Sequence, residues 1–379
     1  MQSDTIPDKL TVIIKPTHSC NLRCRYCYVP SDAEHGVMSM STLHNAMNQV
    51  VNYAKGRRIT FIWHGGEPLL LDLKFYQEVA EVSRTLRDRG HSIRNAIQTN
   101  GTLVTDALLD FITKERDFRL GLSLDGPEVV NDFSRPKADG SGSFKQILQT
   151  ITAIREREAR AQDVSIGSGV ICIIGRHNIK HLDALYDFFK SHQINFKVNP
   201  LVMAGRATCS LAVTPMEYGE AMCRLFDLWI DDPNTIRIDP FQEIMTSLIS
   251  GTPSSCNFSD SCAKTFVSIG PLGDIYPCGR FDGMSEFRLG NVNDPDGLKM
   301  ALSSPEHAKL GSRGKFLSGG GGSCSGCQYL PICNGGCMHI AHISGDVMGK
   351  DPFCAMYKSL YGHISKKLHA ALAKAENIQ

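Results

Sequence analysis

The sequence predicts an α/β fold in which a partial, open (β/α)6 barrel is followed by a small cysteine-rich domain. Short β-rich runs alternate with helix-like stretches through the first two thirds of the chain, and cysteines are concentrated in the last third. Repeated strand–helix alternation indicates parallel strands, and six such units fall short of the eight that close a full barrel. Because parallel barrels carry their sites at the carboxyl ends of the strands, we expect the chemistry there.

The order of the predicted elements follows from hydrophobic periodicity and capping residues. The predicted strands are Thr11–Ile14, Ile59–Trp63, Ile93–Gln98, Leu120–Leu124, Val164–Ile174 and Asn195–Asn199. The predicted helices are Ser41–Tyr53, Leu73–Asp88, Asp106–Lys114, Phe144–Glu158, Ile179–His192, Thr214–Trp229, Phe241–Leu248 and Ala355–Lys374. Ser41 and Thr105 are the expected capping residues of two of them. We therefore predict a barrel domain over residues 1–235, and a linker helix, the cysteine-rich domain and a C-terminal helix over residues 236–379.

Composition narrows the class of protein. The 379 residues carry 40 basic and 39 acidic side chains, a net charge of +1. This balance predicts neither a nucleic-acid partner nor binding to an anionic membrane. The first nine residues contain no apolar signal region, and no stretch approaches the ~18 apolar residues of a membrane helix. We expect a cytoplasmic protein.

Three of the fourteen cysteines directly follow the first predicted strand, at Cys20, Cys24 and Cys27. Disulfides are disfavoured in the cytoplasm, so close cysteine spacings indicate metal or redox sites. A cubane iron–sulfur cluster has four irons, and three thiolates would leave one iron open to another ligand. A zinc knuckle is the alternative, although structural zinc normally takes four protein ligands and only His18 lies nearby to complete the set.

The triplet resembles the cluster-binding motif of the radical S-adenosylmethionine (SAM) superfamily. Gly65-Gly66-Glu67-Pro68, which follows the second predicted strand, resembles the segment that meets the SAM amino group in that family. Glycines allow close backbone approach, and a carboxylate can answer an ammonium group. The resemblance implies that the open iron chelates SAM, and that one electron from the cluster releases a 5′-deoxyadenosyl radical.

Further positions resemble cofactor-binding residues of the same family. They are Tyr26, Asn100, Ser123, Asp125 and Arg135. The resemblance implies that Ser123 and Asp125 face the SAM ribose or its methionyl part, and that Arg135 faces its carboxylate, for which a guanidinium fork is suited. Each of these residues could instead belong to a turn or a surface ion pair.

The cysteines of the last third resemble a SPASM domain, the auxiliary-cluster module of peptide- and protein-modifying radical SAM enzymes. The resemblance assigns Cys256, Cys262, Cys278 and Cys337 to one cluster, and Cys324, Cys327, Cys333 and Cys354 to another. Eight thiolates suffice for two fully ligated cubanes, so the chain is expected to hold SAM and three [4Fe–4S] clusters. Two zinc sites are the alternative, because Cys-x-x-Cys pairs commonly bind zinc.

Within this group of enzymes, the sequence favours a maturase that crosslinks a side chain of a ribosomally made peptide (a RiPP maturase). Sulfatase maturases typically carry an Asp directly after the Tyr-Pro-Cys motif, and this Asp is the base that deprotonates the substrate. Here Gly279 follows Cys278. The run from Trp63 to Pro68 also resembles the cyclophane-forming peptide maturases. Other candidates for the catalytic group are Asp282, Asp274, Arg280, Cys209 and His64.

Two alternatives stay open. Chain length, the Leu225–Trp229 region and the cysteine layout resemble anaerobic sulfatase-maturating enzymes, which convert a Cys or Ser to formylglycine. A non-catalytic iron–sulfur or zinc-binding scaffold is the alternative of another class. Expected partners are a peptide or protein substrate and, by resemblance, a flavodoxin- or ferredoxin-type electron donor. Because Cys20 lies so near the N-terminus that no leader-recognition domain is expected before the barrel, a separate leader-peptide-binding protein is a further candidate partner.

Overall fold

The computed structural model describes residues 8–29, 36–161, 163–233, 236–260 and 262–376. These residues form two compact units, each made of three chain segments. The first unit lies within Met1–Leu124, Asn131–Val170 and Ala263–Gly311, and the second within Asp125–Val130, Ile171–Cys262 and Ser312–Gln379. The predicted boundary at residue 235 separates the part with the first three cysteines from the part with the later cysteine-rich segment, and it stays a prediction.

The predicted alternation of strands and helices is present. The strands are β1 Lys9–Thr17, β2 Arg58–Gly65, β3 Ile93–Thr99, β4 Phe118–Ser123, β5 Gly167–Ile174, β6 Phe196–Pro200, β7 Ile238–Asp239, β8 Phe266–Ile269, β9 Asp274–Tyr276 and β10 Gly290–Asn291. The helices are α1 Met40–Ala54, α2 Leu73–Asp88, α3 Asp106–Glu115, α4 Glu128–Ser134, α5 Phe144–Arg160, α6 Leu182–Ser191, α7 Pro215–Ile230, α8 Phe241–Ser250, α9 Cys262–Thr265, α10 Gly297–Leu302, α11 Pro305–Gly311, α12 Arg313–Ser318, α13 Leu330–Cys333, α14 Met338–Ile343 and α15 Cys354–Glu376.

The sheet of the first unit brings the ends of its parallel strands to one edge. β1, β2, β3 and β4 pair in parallel in that order, with Thr17 opposite Gly65 and Thr99 opposite Leu122. On the other side of β1, β8 pairs in parallel, and β9 and β10 continue antiparallel. Residues that directly follow β1, β2 and β3 therefore share one edge, which is the arrangement that the sequence predicts for the site.

The core of the first unit is apolar and aromatic. Alternate residues of β2 are buried, and among them Trp63 is fully enclosed. Its ring lies edge-on to Phe75 and Tyr76 of α2, and its Nε1 donates a hydrogen bond to Asn95 Oδ1 over 3.0 Å. This packing of a helix against alternate strand residues fixes β2, and with it the segment that follows β2.

The helix starts follow capping chemistry, with one correction. Thr105 caps α3 as predicted, since its side chain accepts a hydrogen bond from the Leu108 amide. The cap of α1 is Ser39 and not Ser41, because the helix begins at Met40 and the extended Ser39 accepts from the Thr42 amide at 3.1 Å. A side-chain oxygen can satisfy the open amides of the first turn only from the residue that precedes the helix.

The second unit is built around α7, α8 and α15, which pack against one another. Phe226 and Trp229 of α7 contact Phe241 of α8, and Tyr218 of α7 lies edge-on to Phe353 just before α15. β6 and β7 pair in parallel in the same unit. Among the helices that the structure describes, none has both the length and the apolar composition that crossing a bilayer requires.

Candidate functional site

The three cysteines that follow β1 are all thiols and are partly exposed. The amide of Leu22 donates to Cys20 Sγ over 3.4 Å, and the amide of Cys27 donates to the Cys24 carbonyl over 3.3 Å. These short-range bonds fold the segment into a tight loop. The loop presents three soft sulfur donors at the strand edge, which is the donor set that an iron–sulfur cluster requires.

The cysteine loop is held by the last turn of α4 and the residues directly after it. The amides of Arg23 and Arg25 donate to the carbonyls of Pro136 and Ser134, at 2.8 and 2.9 Å. The Arg25 guanidinium donates to the Phe133 carbonyl and lies 4.6 Å from the centroid of the Phe133 ring. The thiols are therefore positioned from both the strand that precedes them and a second backbone segment.

Gly65 and Gly66 let the end of β2 pass directly against the backbone that leads into the cysteines. The Gly66 amide donates to the Thr17 carbonyl at 3.0 Å, and the Glu67 amide donates to the Ser19 carbonyl at 2.8 Å. A Cβ at Gly66 would lie 2.1 Å from the Ser19 oxygen, and one at Gly65 would lie 2.5 Å from the Thr17 oxygen. No side chain fits in this contact, which explains both glycines sterically.

The Glu67 carboxylate is fully buried and bonded within the chain. It accepts from the Thr99 hydroxyl at 2.7 Å, from the Asn100 amide at 2.8 Å and from the Leu69 amide at 2.9 Å. Burial raises the pKa of Glu67 to about 7, while these three donors lower it. Pro68 begins the short 3-10 turn that follows, and Glu67 caps this turn. Through Glu67, the predicted Gly65–Pro68 segment connects the end of β2 to the end of β3.

Asn100 links the end of β3 to the cysteine loop. Its Nδ2 donates to Asn21 Oδ1 over 2.8 Å and lies 3.8 Å from Cys20 Sγ. Its Oδ1 accepts from both the amide and the hydroxyl of Thr102. The predicted cofactor residue therefore lies beside the first cysteine.

Arg135 and Tyr26, two of the predicted cofactor residues, lie together. The Arg135 guanidinium is 5.4 Å from the centroid of the Tyr26 ring, and the side chain is only 6% exposed. Ser143 donates its hydroxyl to the Arg135 carbonyl over 2.7 Å. A buried cation beside the Cys24–Cys27 segment is suited to an anionic group of a ligand.

The two predicted residues after β4 are held differently. Ser123 Oγ lies at the end of the strand and accepts a 3.4 Å hydrogen bond from Gln98 Nε2 in the first unit. Asp125 belongs to the second unit, is fully buried, and accepts from the Ile173 amide at 3.0 Å. Whether either contacts a ribose stays a prediction.

A buried charged cluster that the sequence interpretation did not anticipate lies at the end of β1. Lys15 is fully buried, and its Nζ is 3.7 Å from Asp282 Oδ2. Asp282 Oδ1 lies 3.0 Å from His18 Nε2, and Ser268 donates to Oδ2 over 3.3 Å. Burial alone would raise the pKa of Asp282, but Lys15, His18 and Ser268 bring it below its usual value. A lysine that directly follows the apolar run Val12–Ile14 within β1 is the signal that could have predicted this cluster.

His64, at the end of β2, is the catalytic candidate closest to the glycine pair. Its Nδ1 accepts from the Gly65 amide at 2.7 Å and lies 3.4 Å from the Tyr28 hydroxyl. Burial lowers the pKa of His64 to about 4, so the ring is neutral near pH 7. Because Nδ1 is already an acceptor, the ring proton lies on Nε2, and His64 is suited to donate a hydrogen bond.

The remaining catalytic candidates are dispersed. Asp274 is partly exposed and accepts from Arg288 Nε at 2.7 Å. The Arg280 amide donates to Cys278 Sγ over 3.4 Å. Cys209 is exposed in the second unit. Gly279 is buried, and a Cβ there would lie 3.0 Å from the Ile13 side chain, so the structure leaves little space for a carboxylate at this position.

The second unit contains the four cysteines that the resemblance assigns together, Cys324, Cys327, Cys333 and Cys354. Asp351 lies among them and is fully buried. It accepts from the Cys337 amide at 3.0 Å, from the Phe353 amide at 2.8 Å and from the Tyr357 hydroxyl at 2.9 Å. Asp351 therefore joins the loop before Cys337 to the start of α15, at which Cys354 lies.

The other predicted auxiliary ligands occupy separate elements. Cys256 opens a short 3-10 turn, Cys262 opens α9 and Cys337 is the N-cap of α14, all in the second unit. Cys278 follows β9 in the first unit. Their assignment to one cluster stays a prediction.

The donor sets fit iron–sulfur clusters chemically. All fourteen cysteines are thiols, and eleven of them belong to the predicted sets. Among the described residues, no three His, Cys, Asp or Glu side chains gather as ligands of a single metal ion do. A cubane spreads its thiolates over several irons, so it does not require that they converge on one point.

A family model identifies the barrel. The model of the Radical SAM superfamily matches residues 14–189, which include the cysteine loop, the Gly65–Pro68 segment and Arg135. The family resemblance predicted from the motifs is therefore confirmed for this part of the chain.

Known proteins match nearly the whole chain. A cysteine-type anaerobic sulfatase-maturating enzyme of Clostridium perfringens is 27% identical over 375 residues, 95% of this chain and 97% of its own. A serine-type one of Bacteroides thetaiotaomicron is 28% identical over 94% of this chain and 89% of its own. The solved structure of native anSMEcpe with bound AdoMet and Cp18Cys peptide has a TM-score of 0.80 at 22% identity, and covers 97% of this chain and 99% of that one. The predicted fold class, an α/β radical SAM fold with a parallel sheet and a cysteine-rich C-terminal part, is confirmed.

The close contact at Gly66 predicts a selective loss of iron. In Gly66→Ala the Cβ must displace the backbone at His18 and Ser19, because carbonyl oxygens at 2.3 and 2.1 Å cannot rotate away. We expect reconstituted protein to lose about four of the ~twelve irons that three cubanes would hold. Iron and sulfide analysis measures this. Gly311→Ala is the matched control, because its Cβ meets no atom within 4 Å. Equal iron in the two variants would contradict the steric account.

The buried ion pair predicts a large change in stability. Asp282→Asn removes the carboxylate beside the fully buried Lys15 ammonium. Removing one partner of a buried pair typically costs ~3–5 kcal/mol, so we expect the free energy of unfolding to fall by about that amount in a urea titration followed by circular dichroism.

Asp274→Asn is the control for that measurement, because Asp274 pairs with the half-exposed Arg288. A surface pair of this kind contributes at most ~1 kcal/mol. If both variants lose the same small amount, the Lys15–Asp282 pair does not stabilise the fold.

Proposed function

Because the chain contains a radical SAM domain and aligns along nearly its whole length with anaerobic sulfatase-maturating enzymes, we propose that it oxidises a cysteine or serine side chain of a peptide or protein to formylglycine. The alignment with the Clostridium perfringens enzyme, over 95% of this chain and 97% of that one, is the observation that carries the proposal. It supports this reaction better than the peptide crosslinking that the sequence alone favours.

The residues at the strand ends would hold the cofactors. Cys20, Cys24 and Cys27 would bind the first cluster, and its open iron would take SAM beside the Gly65–Pro68 segment. When bound, the cluster and SAM supply a 5′-deoxyadenosyl radical that removes a hydrogen atom from the substrate. The buried Arg135, next to the Tyr26 ring, would neutralise the SAM carboxylate. Asn100, Ser123 and Asp125 are the further proposed contacts.

The oxidation needs one acceptor each for a hydrogen atom, a proton and an electron. Converting a serine CH2–OH to an aldehyde transfers one hydrogen atom to the deoxyadenosyl group, one proton to a base and one electron to a redox group. For cysteine, sulfide also leaves, and water supplies the aldehyde oxygen. We assign the electron to the auxiliary clusters, which the cysteines of the last third would bind.

The reaction also needs a residue that accepts the proton. Gly279 provides no carboxylate, and His64 presents an N–H group, since its Nδ1 already accepts from Gly65. Asp282 is the first candidate to test, because its lowered pKa keeps it ionised at neutral pH and it lies four residues after Cys278. Asp274, Arg280 and Cys209 stay secondary candidates.

Gly279 favours peptide crosslinking as the second candidate function. Oxidation of a serine or cysteine requires removal of a hydroxyl or thiol proton, for which a positioned carboxylate is suited. An aromatic ring carbon that has formed a new bond loses its proton readily, because this restores aromaticity. A crosslinking reaction therefore depends less on a base at position 279.

The proposed partners follow from the reaction. A flavodoxin- or ferredoxin-type protein in the cytoplasm would deliver the electron that cleaves SAM. A separate leader-binding protein would be needed only for the crosslinking alternative, in which a leader peptide guides the substrate.

The proposal predicts two products in one anaerobic incubation with SAM, a reductant and peptides that contain a single Cys or Ser. We expect 5′-deoxyadenosine, and a peptide that reacts with a hydrazine reagent. The trapping step is necessary because serine oxidation and crosslinking both remove two hydrogens and give the same mass. Mass spectrometry reads both products.

The controls separate the alternatives. Cys24→Ala should abolish SAM cleavage, whereas Cys223→Ala, which changes a partly buried cysteine of α7, should retain it. A peptide that loses two hydrogens but does not react with hydrazine would replace formylglycine by a crosslink. Zinc in place of iron and sulfide, with no SAM cleavage, would indicate a non-catalytic scaffold.

A further inference from the structure

Arg313, the first residue of α12, is a buried cation in the cysteine-rich part of the second unit. Its side chain is 7% exposed. Nη1 donates to the Gly336 carbonyl at 2.8 Å, Nη2 donates to the Gly335 carbonyl at 3.0 Å, and Nη2 and Nε both donate to the Gly349 carbonyl, at 2.7 and 3.2 Å. One guanidinium thus joins two loops through neutral acceptors.

Both loops lie next to predicted cluster ligands. Gly335 and Gly336 separate Cys333 from Cys337, and Gly349 comes five residues before Cys354. A Cβ at Gly335 would lie 3.6 Å from Arg313 Nη2 and also 3.6 Å from Cys324 Sγ. These two distances place Arg313 Nη2 no more than 7.2 Å from the Sγ of Cys324, a member of the set Cys324, Cys327, Cys333 and Cys354.

Carbonyl oxygens alone are weak compensation for a buried positive charge. Burial of an ion costs several kcal/mol after relaxation, unless opposite charge is close. Burial lowers the pKa of Arg313, while Cys337, Asp351, Cys324 and Cys262 raise it when they are ionised. Asp351 is itself occupied by the Cys337 amide, the Phe353 amide and the Tyr357 hydroxyl.

A ligated cluster would supply the missing negative charge. Four thiolates outweigh the positive charge of a cubane core, so the assembly is anionic, and reduction makes it more so. A fixed cation nearby stabilises the reduced form more than the oxidised form, and net charge is one of the properties that set cluster potentials.

We propose that Arg313 is a positioning residue for the auxiliary clusters, which orients the loops before Cys337 and Cys354 and raises the reduction potential of the cluster bound by Cys324. The proposal rests on the cluster assignment of the proposed function. It goes beyond that function by naming the group that tunes electron acceptance during the oxidation.

The test uses reconstituted full-length protein in which Cys20, Cys24 and Cys27 are alanine, so that only auxiliary clusters contribute to the signal. Redox titration followed by electron paramagnetic resonance compares Arg313→Gln, whose amide can still donate to carbonyls, with Arg313→Lys, which keeps the charge but not the fork. Arg224→Gln, an exposed arginine paired with Asp183 in the same unit, is the control.

We expect the reduced-to-oxidised ratio of one auxiliary cluster at a fixed potential to fall about tenfold in Arg313→Gln, which is about 59 mV for a one-electron couple. Arg313→Lys and Arg224→Gln should stay close to the parent protein. Full iron with an unchanged potential in Arg313→Gln would overturn the proposal.

If Arg313→Gln fails to retain iron, Arg313→Lys decides by iron content. Iron restored by lysine supports a role of the charge, whereas iron as low as in the glutamine variant shows that the guanidinium acts only by holding the loops, and overturns the proposed effect of its charge on the potential. A parent protein without auxiliary iron would instead refute the cluster assignment, and with it the proposed function, so the two failures are distinguishable.

Discussion

The backbone contact between the ends of β1 and β2 is the constraint on which the site depends. Two amides, of Gly66 and Glu67, donate to the carbonyls of Thr17 and Ser19 at 3.0 and 2.8 Å. The segment after β2 therefore lies directly against the segment that leads into the cysteine loop. The two backbones are so close that a Cβ at Gly65 or Gly66 would clash. The Glu67 carboxylate then orders the end of β3 through Thr99 and Asn100, so that three strand ends share one hydrogen-bonded network.

Buried cations near cysteines recur in both units. In the first unit Lys15 is compensated by Asp282, and in the second unit Arg313 is compensated by backbone carbonyls and by nearby anionic groups, Cys337 as the thiolate and Asp351. A buried charge is costly unless it is paired, and proteins retain such charges mainly where an opposite charge resides. A protein that holds anionic clusters has a physical reason to bury cations beside their ligands.

Much of the fold follows from the sequence, because hydrophobic period and capping are local properties. The bounds predicted for α2 are those observed, and β3 extends only one residue beyond its prediction. The short strands β8, β9 and β10 and the short helices around the late cysteines were not predicted, since segments of this length carry no period. The division into two compact units, each made of three chain segments, depends on contacts between residues that are distant in sequence, which local patterns do not reveal.

The site, like the fold, could be predicted from the sequence only in part. Cys20, Gly66 and Asn100 could be placed at one edge, because parallel strands align their carboxyl ends. The role of Glu67 was only half predicted, since its carboxylate serves the chain through three hydrogen bonds. Lys15 was missed although it directly follows an apolar run within β1, and Arg313 was missed because no local pattern distinguishes it from a surface cation.

The central claim is that a radical formed at the strand edge removes hydrogen from a polypeptide side chain. Incubation of the reduced enzyme with SAM and a peptide whose reactive residue carries deuterium at the β-carbon tests it most directly. The account predicts one deuterium in the 5′-deoxyadenosine that forms along with the oxidised peptide. Product without deuterium, or 5′-deoxyadenosine formed equally well without peptide, would contradict it.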